Sequence, residues 1–226
     1  MRGRKRNSNR EKLDILYTKK YDEQYALSSL VLCYDKNLEA FLEDSCHTES
    51  PDFQSENLDL GVEVTRAYTP QQNEYLPIVN NYFGKNCDPK IAINNIKTRF
   101  VNKSHSFRII NKTLVYFSGC YDTQIYINEL QKRINEKSKL LNRVYKVFRN
   151  NWLYLFAGSS VIHETDIANL SSKEMKSYQI QFNRIFINCF DRIYIVENNE
   201  LIQAISLNEE ELTQIKKMAL ERIKNE

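Results

Sequence analysis

The sequence has no long apolar run and few glycines and histidines, and these shortages exclude several classes of protein. No apolar stretch approaches the roughly 18 residues of a membrane-spanning helix, and no apolar segment follows the basic N-terminus as in a secretion signal. The five glycines form neither G-x-x-x-x-G-K-[ST] nor G-x-G-x-x-G, so a glycine-rich nucleotide-binding loop is not expected. The three histidines do not form the H-E-x-x-H spacing of zinc proteases.

The cysteines are odd in number, scattered, and without C-x-x-C spacing. Disulfide frameworks and structural zinc sites need closer and more regular cysteines, so these thiols are expected to be reduced, in a cytoplasmic protein. They are Cys33, Cys46, Cys87, Cys120 and Cys189. With 226 residues, 42% of them apolar and 27% charged, the chain fits one globular domain with a substantial core.

Residues 1–11 are predicted to form a flexible basic tail before a single α/β domain over residues 12–226. Between positions 2 and 10 the tail holds no acidic residue and five basic ones, namely Arg2, Arg4, Lys5, Arg6 and Arg10. The net charge of the whole chain is only +3, so the domain itself is nearly neutral. Such a tail either contacts nucleic-acid phosphates, with an affinity that falls steeply with salt, or serves only to keep the protein in solution.

Two acidic residues, Asp52 and Glu63, stand in two short strand-like runs that a polar turn joins. The turn over residues 55–59 is rich in Ser, Asn and Asp, which favour chain reversal, so the runs are predicted to pair as a hairpin. Side chains alternate along a strand, so Glu63 and Thr65 share one face and Val62 lies on the other. Two carboxylates and a hydroxyl suit Mg²⁺, which prefers oxygen ligands. The alternative is an ordinary hairpin in which Asp52 stabilises its turn and Glu63 faces solvent.

The sequence Pro51-Asp52, followed by Glu63-Val64-Thr65 on the next strand, resembles the PD-(D/E)XK nuclease superfamily, with threonine in place of the usual lysine. The resemblance implies a restriction-endonuclease-like fold, in which helices flank a mixed central β-sheet. It also implies that Asp52 and Glu63 bind Mg²⁺ or Mn²⁺ for the hydrolysis of phosphodiester bonds. The family's lysine helps to position or activate the attacking water, so Thr65 opens the alternative of a site without catalysis.

Lys137 is the candidate for the missing lysine. From about Thr123 to Val147, apolar residues recur at helical spacing and form one stripe, made of Ile127, Leu130, Ile134, Leu141 and Val144. Lys137 borders this stripe, where a lysine either extends to solvent or reaches a polar pocket. The resemblance favours the second outcome, because threonine variants of the superfamily also carry a lysine on a helix after the core hairpin.

Glu23 is a candidate third acidic ligand, which the resemblance implies for the first helix of many such nucleases. An amphipathic helix is predicted between about Glu23 and Leu42, and Glu23 lies one turn before Leu27 on its inward face. The alternative is a first-turn glutamate that interacts favourably with the helix dipole.

The remaining segments indicate the α/β class, because strand-like and helix-like runs alternate along the chain. The predicted strands cover residues 152–157, 192–196 and 201–207, and the predicted helices cover 71–83, 88–100, 171–189 and the stretch that Asn208 caps. Residues 101–120 are an expected insert, which forms either a hairpin or an irregular excursion.

The expected function is metal-dependent hydrolysis of DNA phosphodiester bonds by Asp52, Glu63, Thr65 and Lys137, with Glu23 as a further metal ligand. The alternative is an inactive nuclease-fold module that binds nucleic acid or a protein partner in a phage, a mobile element or a defence system. Thr65 and the nearly neutral domain favour the alternative, whereas the two acids at the expected spacing favour the enzyme. A homodimer is compatible with either function.

Overall fold

A mixed sheet of seven strands runs through the centre of the protein, with helices packed on both of its faces. The computed structural model describes residues 18–44, 46–47, 50–70, 72–73, 91, 94, 105–110, 113–119, 123–158, 162–173 and 179–225. Within these residues, the predicted α/β class and the predicted mixed sheet flanked by helices are confirmed.

The strands of the sheet come from both halves of the chain. They are Cys46–His47 (β1), Phe53–Ser55 (β2), Leu60–Arg66 (β3), Asn150–Phe156 (β6), Arg184–Asn188 (β7), Arg192–Glu197 (β8) and Glu200–Ser206 (β9), and they lie side by side in that order. The pairs β3–β6 and β6–β7 are parallel, and the other neighbours are antiparallel. A separate antiparallel hairpin of β4 (His105–Ile110) and β5 (Thr113–Gly119) lies in the expected insert, which confirms the hairpin interpretation there.

Five helices are described over their whole length, with a 3₁₀ turn at Lys36–Leu38; they are Lys19–Cys33 (α1), Glu39–Asp44 (α2), Thr123–Leu141 (α3), Glu164–Lys173 (α4) and Glu209–Asn225 (α5). Residues 70, 72–73, 91 and 94 are also helical. Asn208 caps α5 as predicted: its Oδ1 accepts a hydrogen bond from the Glu211 backbone N–H at 2.9 Å, and the Glu211 carboxylate accepts one from Asn208 N–H at 2.8 Å. None of these helices has both the length and the apolar character that crossing a membrane requires.

Alternation along the central strands sends their side chains into two separate cores. Val62 pairs with Trp152, and both pack in the core beneath α1 and α5. Glu63 pairs with Leu153, and Leu153 packs in the core beneath α3 and α4. Glu63 therefore points toward the α3 side of the sheet, as the alternation in the sequence predicts.

The predicted helix over residues 171–189 is wrong at its C-terminal end, because Arg184–Asn188 forms β7. The apolar side chains Ile185, Phe186 and Ile187 are all buried, since β7 lies between β6 and β8 with helices over both faces. A continuous apolar run of this kind is typical of a strand that is covered on both sides. Ser171 and Ser172, which were predicted to cap that helix, lie in the last turn of α4, and residues 174–178 lie outside the described residues.

Two helices are shorter than predicted. The first ends at Cys33, and the Asp35 side chain then accepts a hydrogen bond from the Asn37 backbone N–H to begin the 3₁₀ turn. The helix that carries Lys137 ends at Leu141, so Val144 leaves the apolar stripe and is 64% exposed. The predictions for residues 1–11, and most of those for 71–83 and 88–100, lie outside the described residues.

Candidate functional site

The hairpin of β2 and β3 fixes both predicted carboxylates. Phe53 pairs with Val62, so Asp52 lies beside the strand segment that carries Glu63. The Val64 backbone N–H donates a hydrogen bond of 2.8 Å to Asp52 Oδ2. Asp52 is 1% exposed and Glu63 is 3% exposed. The alternative of a turn-stabilising Asp52 and a solvent-facing Glu63 is therefore wrong, since both carboxylates are buried.

Lys137 reaches Glu63 from α3. Its Nζ donates a hydrogen bond of 2.5 Å to Glu63 Oε1 and lies 3.3 Å from the Tyr145 hydroxyl. The Tyr145 hydroxyl in turn donates to the same Glu63 oxygen at 2.9 Å. The Lys137 side chain is only 18% exposed, so it does not extend to solvent but enters a polar pocket. Tyr145 was not among the predicted residues, because the predicted helix ran through it.

Glu23 lies near Asp52, and the Lys19 side chain links the two carboxylates. The Lys19 ammonium lies 2.9 Å from Asp52 Oδ1 and 3.2 Å from Glu23 Oε1, one turn further along α1. Glu23 is 2% exposed. Because α1 begins at Lys19, Glu23 lies beyond the first turn, and the alternative of a first-turn glutamate is wrong. Lys19 was missed by the sequence analysis. The i,i+4 spacing of Lys19 and Glu23 was the one signal that pointed to it.

Thr65 lies two residues beyond Glu63 on β3, on the same face of the strand, and is half-buried. The other four predicted residues, Asp52, Glu63, Glu23 and Lys137, form one connected set with Lys19 and Tyr145. We call these six residues the acidic cluster.

Burial and like charge dominate the electrostatics of the acidic cluster. Burial raises the pKa of Glu63 above its ordinary value, the Asp52 carboxylate raises it further, and Lys137 and Tyr145 offset part of that increase. The hydrogen bond to Asp52 raises the pKa of the Lys19 ammonium. Burial and the neighbouring Glu63 carboxylate raise the pKa of the Tyr145 hydroxyl. A buried acid whose pKa is raised by a neighbouring carboxylate is more common at functional sites than in ordinary cores.

The chemistry of the acidic cluster suits a hard divalent cation. Its acidic members supply carboxylate oxygens, which Mg²⁺ and Mn²⁺ prefer. The buried Glu63 Oε2 accepts no hydrogen bond from the residues that the structure describes, so one lone-pair site remains for a cation. Within the same residues, no three His, Cys, Asp or Glu side chains converge closely enough to hold a metal as they stand. Instead, the Lys19 ammonium lies between Asp52 and Glu23, and the Lys137 ammonium pairs with Glu63.

A basic segment adjoins the acidic cluster. The sequence has no acidic residue between Glu136 and Glu164, and the end of α3 and the loop after it expose the basic side chains of Lys139, Arg143, Lys146 and Arg149. The loop is fastened to the β2–β3 turn, since Lys146 pairs with Glu56 and the Arg149 backbone N–H donates to Asp59 Oδ1 at 2.9 Å. The same loop carries Tyr145, whose hydroxyl donates to Glu63, so the basic segment is held next to the buried carboxylates.

Gly61 lets this loop approach β3 closely. A Cβ at Gly61 would lie 2.7 Å from Phe148 Cδ2 and 2.8 Å from Pro51 Cγ, and neither ring can withdraw without moving the backbone. Gly61→Ala is therefore expected to lower the free energy of unfolding by about 1–3 kcal/mol through overpacking. Urea unfolding measures the loss, with exposed Ser206→Ala on β9 as the control that stays within about 0.5 kcal/mol of wild type. An unchanged midpoint for Gly61→Ala would contradict the close approach.

Comparison with known proteins adds nothing to this geometry, because no family model, no curated protein and no solved structure matches the chain.

Proposed function

We propose that the protein is a metal-dependent nuclease of the PD-(D/E)XK type, with a restriction-endonuclease-like fold, that hydrolyses phosphodiester bonds of DNA. One observation carries the proposal. Asp52, directly before β2, and Glu63, on the paired strand β3, are both buried, and Lys137 reaches Glu63 from α3. An ordinary core gains nothing from two buried acids close enough to interact, because the Asp52 carboxylate raises the cost of ionising Glu63.

Asp52 and Glu63 would hold Mg²⁺ or Mn²⁺, with Glu23 as a third ligand. Such a cation, when bound, withdraws electron density from a phosphate oxygen and makes a neighbouring water more acidic. The fold supports this assignment. The hairpin fixes Asp52 through the Val64 backbone N–H, Lys19 of α1 reaches Asp52, and Lys137 of α3 reaches Glu63. The buried Glu63 Oε2 that accepts no hydrogen bond in the described residues supports it as well.

Lys137 takes the part of the missing motif lysine. Its ammonium is held on Glu63 Oε1 by a hydrogen bond and by the neighbouring Tyr145 hydroxyl, so it is positioned before substrate arrives. A fixed cation there can orient an attacking water and offset the negative charge that develops on the phosphate. The Thr65 hydroxyl can donate a hydrogen bond to a water or a phosphate oxygen, but it supplies no charge.

The basic segment supports nucleic acid as the substrate. The exposed side chains of Lys139, Arg143, Lys146 and Arg149 lie on the end of α3 and on the loop that carries Tyr145 into the acidic cluster. Basic side chains beside a phosphodiester-cleaving centre attract the nucleic-acid backbone regardless of sequence. Binding is therefore expected to weaken with added salt.

A second candidate function is an inactive module of the same fold that binds nucleic acid or a protein partner. The ion pairs favour it, because Lys19 and Lys137 already balance much of the acidic charge without a metal. Asp52, Glu63 and Glu23 would then have a structural role only.

The test is cleavage of supercoiled, linear and single-stranded DNA with Mg²⁺, with Mn²⁺ and with excess chelator. Cleavage is expected with either metal and is expected to stop on chelation, because buried carboxylates alone supply no means of neutralising the phosphate. The matched control is the double variant Asp52→Asn/Glu63→Gln, purified in the same way, which excludes a contaminating nuclease. DNA or protein binding that needs no metal and persists in the double variant, with no cleavage by either protein, would favour the binding module.

A further inference from the structure

Lys19 occupies a cation position between two buried carboxylates. Its ammonium lies 2.9 Å from Asp52 Oδ1 and 3.2 Å from Glu23 Oε1. These are the two acids, one on the strand side and one on α1, that the proposed metal site would recruit together. A divalent cation that binds both oxygens would need the place that the ammonium holds.

The two partners of Lys19 are buried, whereas the Lys19 side chain is largely exposed to solvent. The side chains of Asp52 and Glu23 are 1% and 2% exposed, and Asp52 is further held by the Val64 backbone N–H. The Lys19 side chain is 69% exposed and stands in the first turn of α1. A flexible four-carbon stem in solvent can withdraw its ammonium without disturbing the core. The buried Asp52 and Glu23 carboxylates stay in the core when the ammonium withdraws.

We propose that Lys19 is a built-in counter-cation of the acidic cluster that competes with the divalent metal for Asp52 and Glu23. This inference rests on the proposed function, since it concerns the metal of that site. In the metal-free protein the ammonium offsets the charge of two buried carboxylates, which would otherwise repel each other. When metal binds, Lys19 swings into solvent at the mouth of the site. Lys137 stays in place, because its side chain is enclosed at 18% exposure and its partner Glu63 retains the free oxygen Oε2 within the described residues.

Lys19 therefore sets the metal affinity of the protein by occupying the site. Any energy that the Lys19 ion pairs contribute must be given up before Asp52 and Glu23 can bind a metal together, so the pairs weaken the apparent affinity. This separates Lys19 from Lys137 in function. Lys19 limits loading of the site, and Lys137 acts on the reacting groups.

The test is calorimetric titration of Mn²⁺ into nucleic-acid-free wild type, Lys19→Met and the charge-matched control Lys216→Met on the exposed face of α5. Lys19→Met is expected to lower the Kd for Mn²⁺ by about tenfold, and Lys216→Met to leave it unchanged. Without metal, Lys19→Met should melt at a lower temperature than wild type, and Mn²⁺ should raise its melting temperature by more than that of wild type. Lys19→Gln, which keeps a polar tip, serves if Lys19→Met does not fold.

Each result has a distinct meaning. An equal or weaker Mn²⁺ affinity in both Lys19 variants, with binding lost in Asp52→Asn/Glu63→Gln, would overturn the competition while the metal site stands. Tighter Mn²⁺ binding in Lys19→Met without any DNA cleavage by wild type would support the competition and overturn the nuclease proposal. Absence of Mn²⁺ binding in wild type and in both Lys19 variants would overturn both.

Discussion

Lys137→Met is expected to lower the rate of DNA cleavage by about 100-fold to 1,000-fold and the free energy of unfolding by about 3 kcal/mol. The loss of rate follows from the proposed role of the ammonium, which offsets charge on the phosphate from a fixed position. The loss of stability has a separate cause. Glu63 is 3% exposed, and without Lys137 it is a buried carboxylate whose remaining described hydrogen-bond donor is the Tyr145 hydroxyl.

The same substitution is expected to move the pH dependence of cleavage. Burial and then Asp52 raise the pKa of Glu63, while Lys137 opposes them. Metal binding needs ionised Glu63, so the cleavage rate of wild type should fall as the pH is lowered through this raised pKa. In Lys137→Met the opposing cation is gone, the pKa of Glu63 rises further, and the falling limb should shift to higher pH.

Rates measured from pH 5 to pH 9 at saturating Mg²⁺ test this shift, with urea unfolding of the same samples. Lys132→Met is the matched control, since Lys132 is an exposed lysine on the same helix, outside the basic segment, and should alter neither the shape of the pH profile nor the stability. A profile for Lys137→Met that keeps the wild-type limb would show that Lys137 does not act on Glu63.

The sequence was sufficient to predict the hairpin that carries Asp52 and Glu63. The polar turn over residues 55–59 and the period of two in β3 are local signals, and local signals fix the register of a short hairpin. The face of Glu63 followed from that register. Its burial did not, because it depends on α3 packing over the sheet from sixty residues further along the chain.

Lys137 was predicted on the correct edge of its helix, but its partners depended on where that helix ends. The apolar spacing continues past Leu141 to Val144 and Val147, and so a longer helix was predicted. In the structure the chain leaves the helix at Leu141, and the following loop folds back over Gly61 to bring Tyr145 to Glu63. Nothing in the helical period reports such a tertiary contact.

The strand β7 was missed for a related reason. Its residues Ile185, Phe186 and Ile187 are apolar without alternation, because both faces of the strand are covered. A short continuous apolar run is compatible with a buried helix as well as with a buried strand. The preceding Ser171 and Ser172 suggested a helix cap and so favoured a helix for this run. Both serines belong to the end of α4.

The double variant Glu63→Gln/Lys137→Met is expected to regain most of the stability that Lys137→Met loses, but to lose cleavage completely, because it also lacks the proposed metal ligand Glu63. Removing one partner of a buried ion pair leaves an unmatched charge, whereas replacing both with neutral side chains is often close to neutral. We expect the double variant to unfold within about 1 kcal/mol of wild type. The coupling energy between the two sites is then about 2 kcal/mol plus whatever Glu63→Gln alone costs.

The pH dependence of stability gives this prediction its sign. The folded pKa of Glu63 is raised, so the protonated acid stabilises the fold at low pH, and this contribution is lost as the pH rises through the folded pKa. Glutamine mimics the protonated acid at every pH. The advantage of the double variant over Lys137→Met should therefore be small at pH 5 and larger at pH 8.

Urea unfolding of wild type, both single variants and the double variant at pH 5 and pH 8 measures the coupling. The exposed pair Lys217 and Glu221, 4.0 Å apart on α5, supplies the control cycle, in which Lys217→Met and Glu221→Gln should couple by no more than about 0.5 kcal/mol. Additive effects at Glu63 and Lys137 would show that the pair is not an energetic unit. A double variant as stable as wild type but without cleavage would show that the buried charges are retained for chemistry, since the fold does not require them.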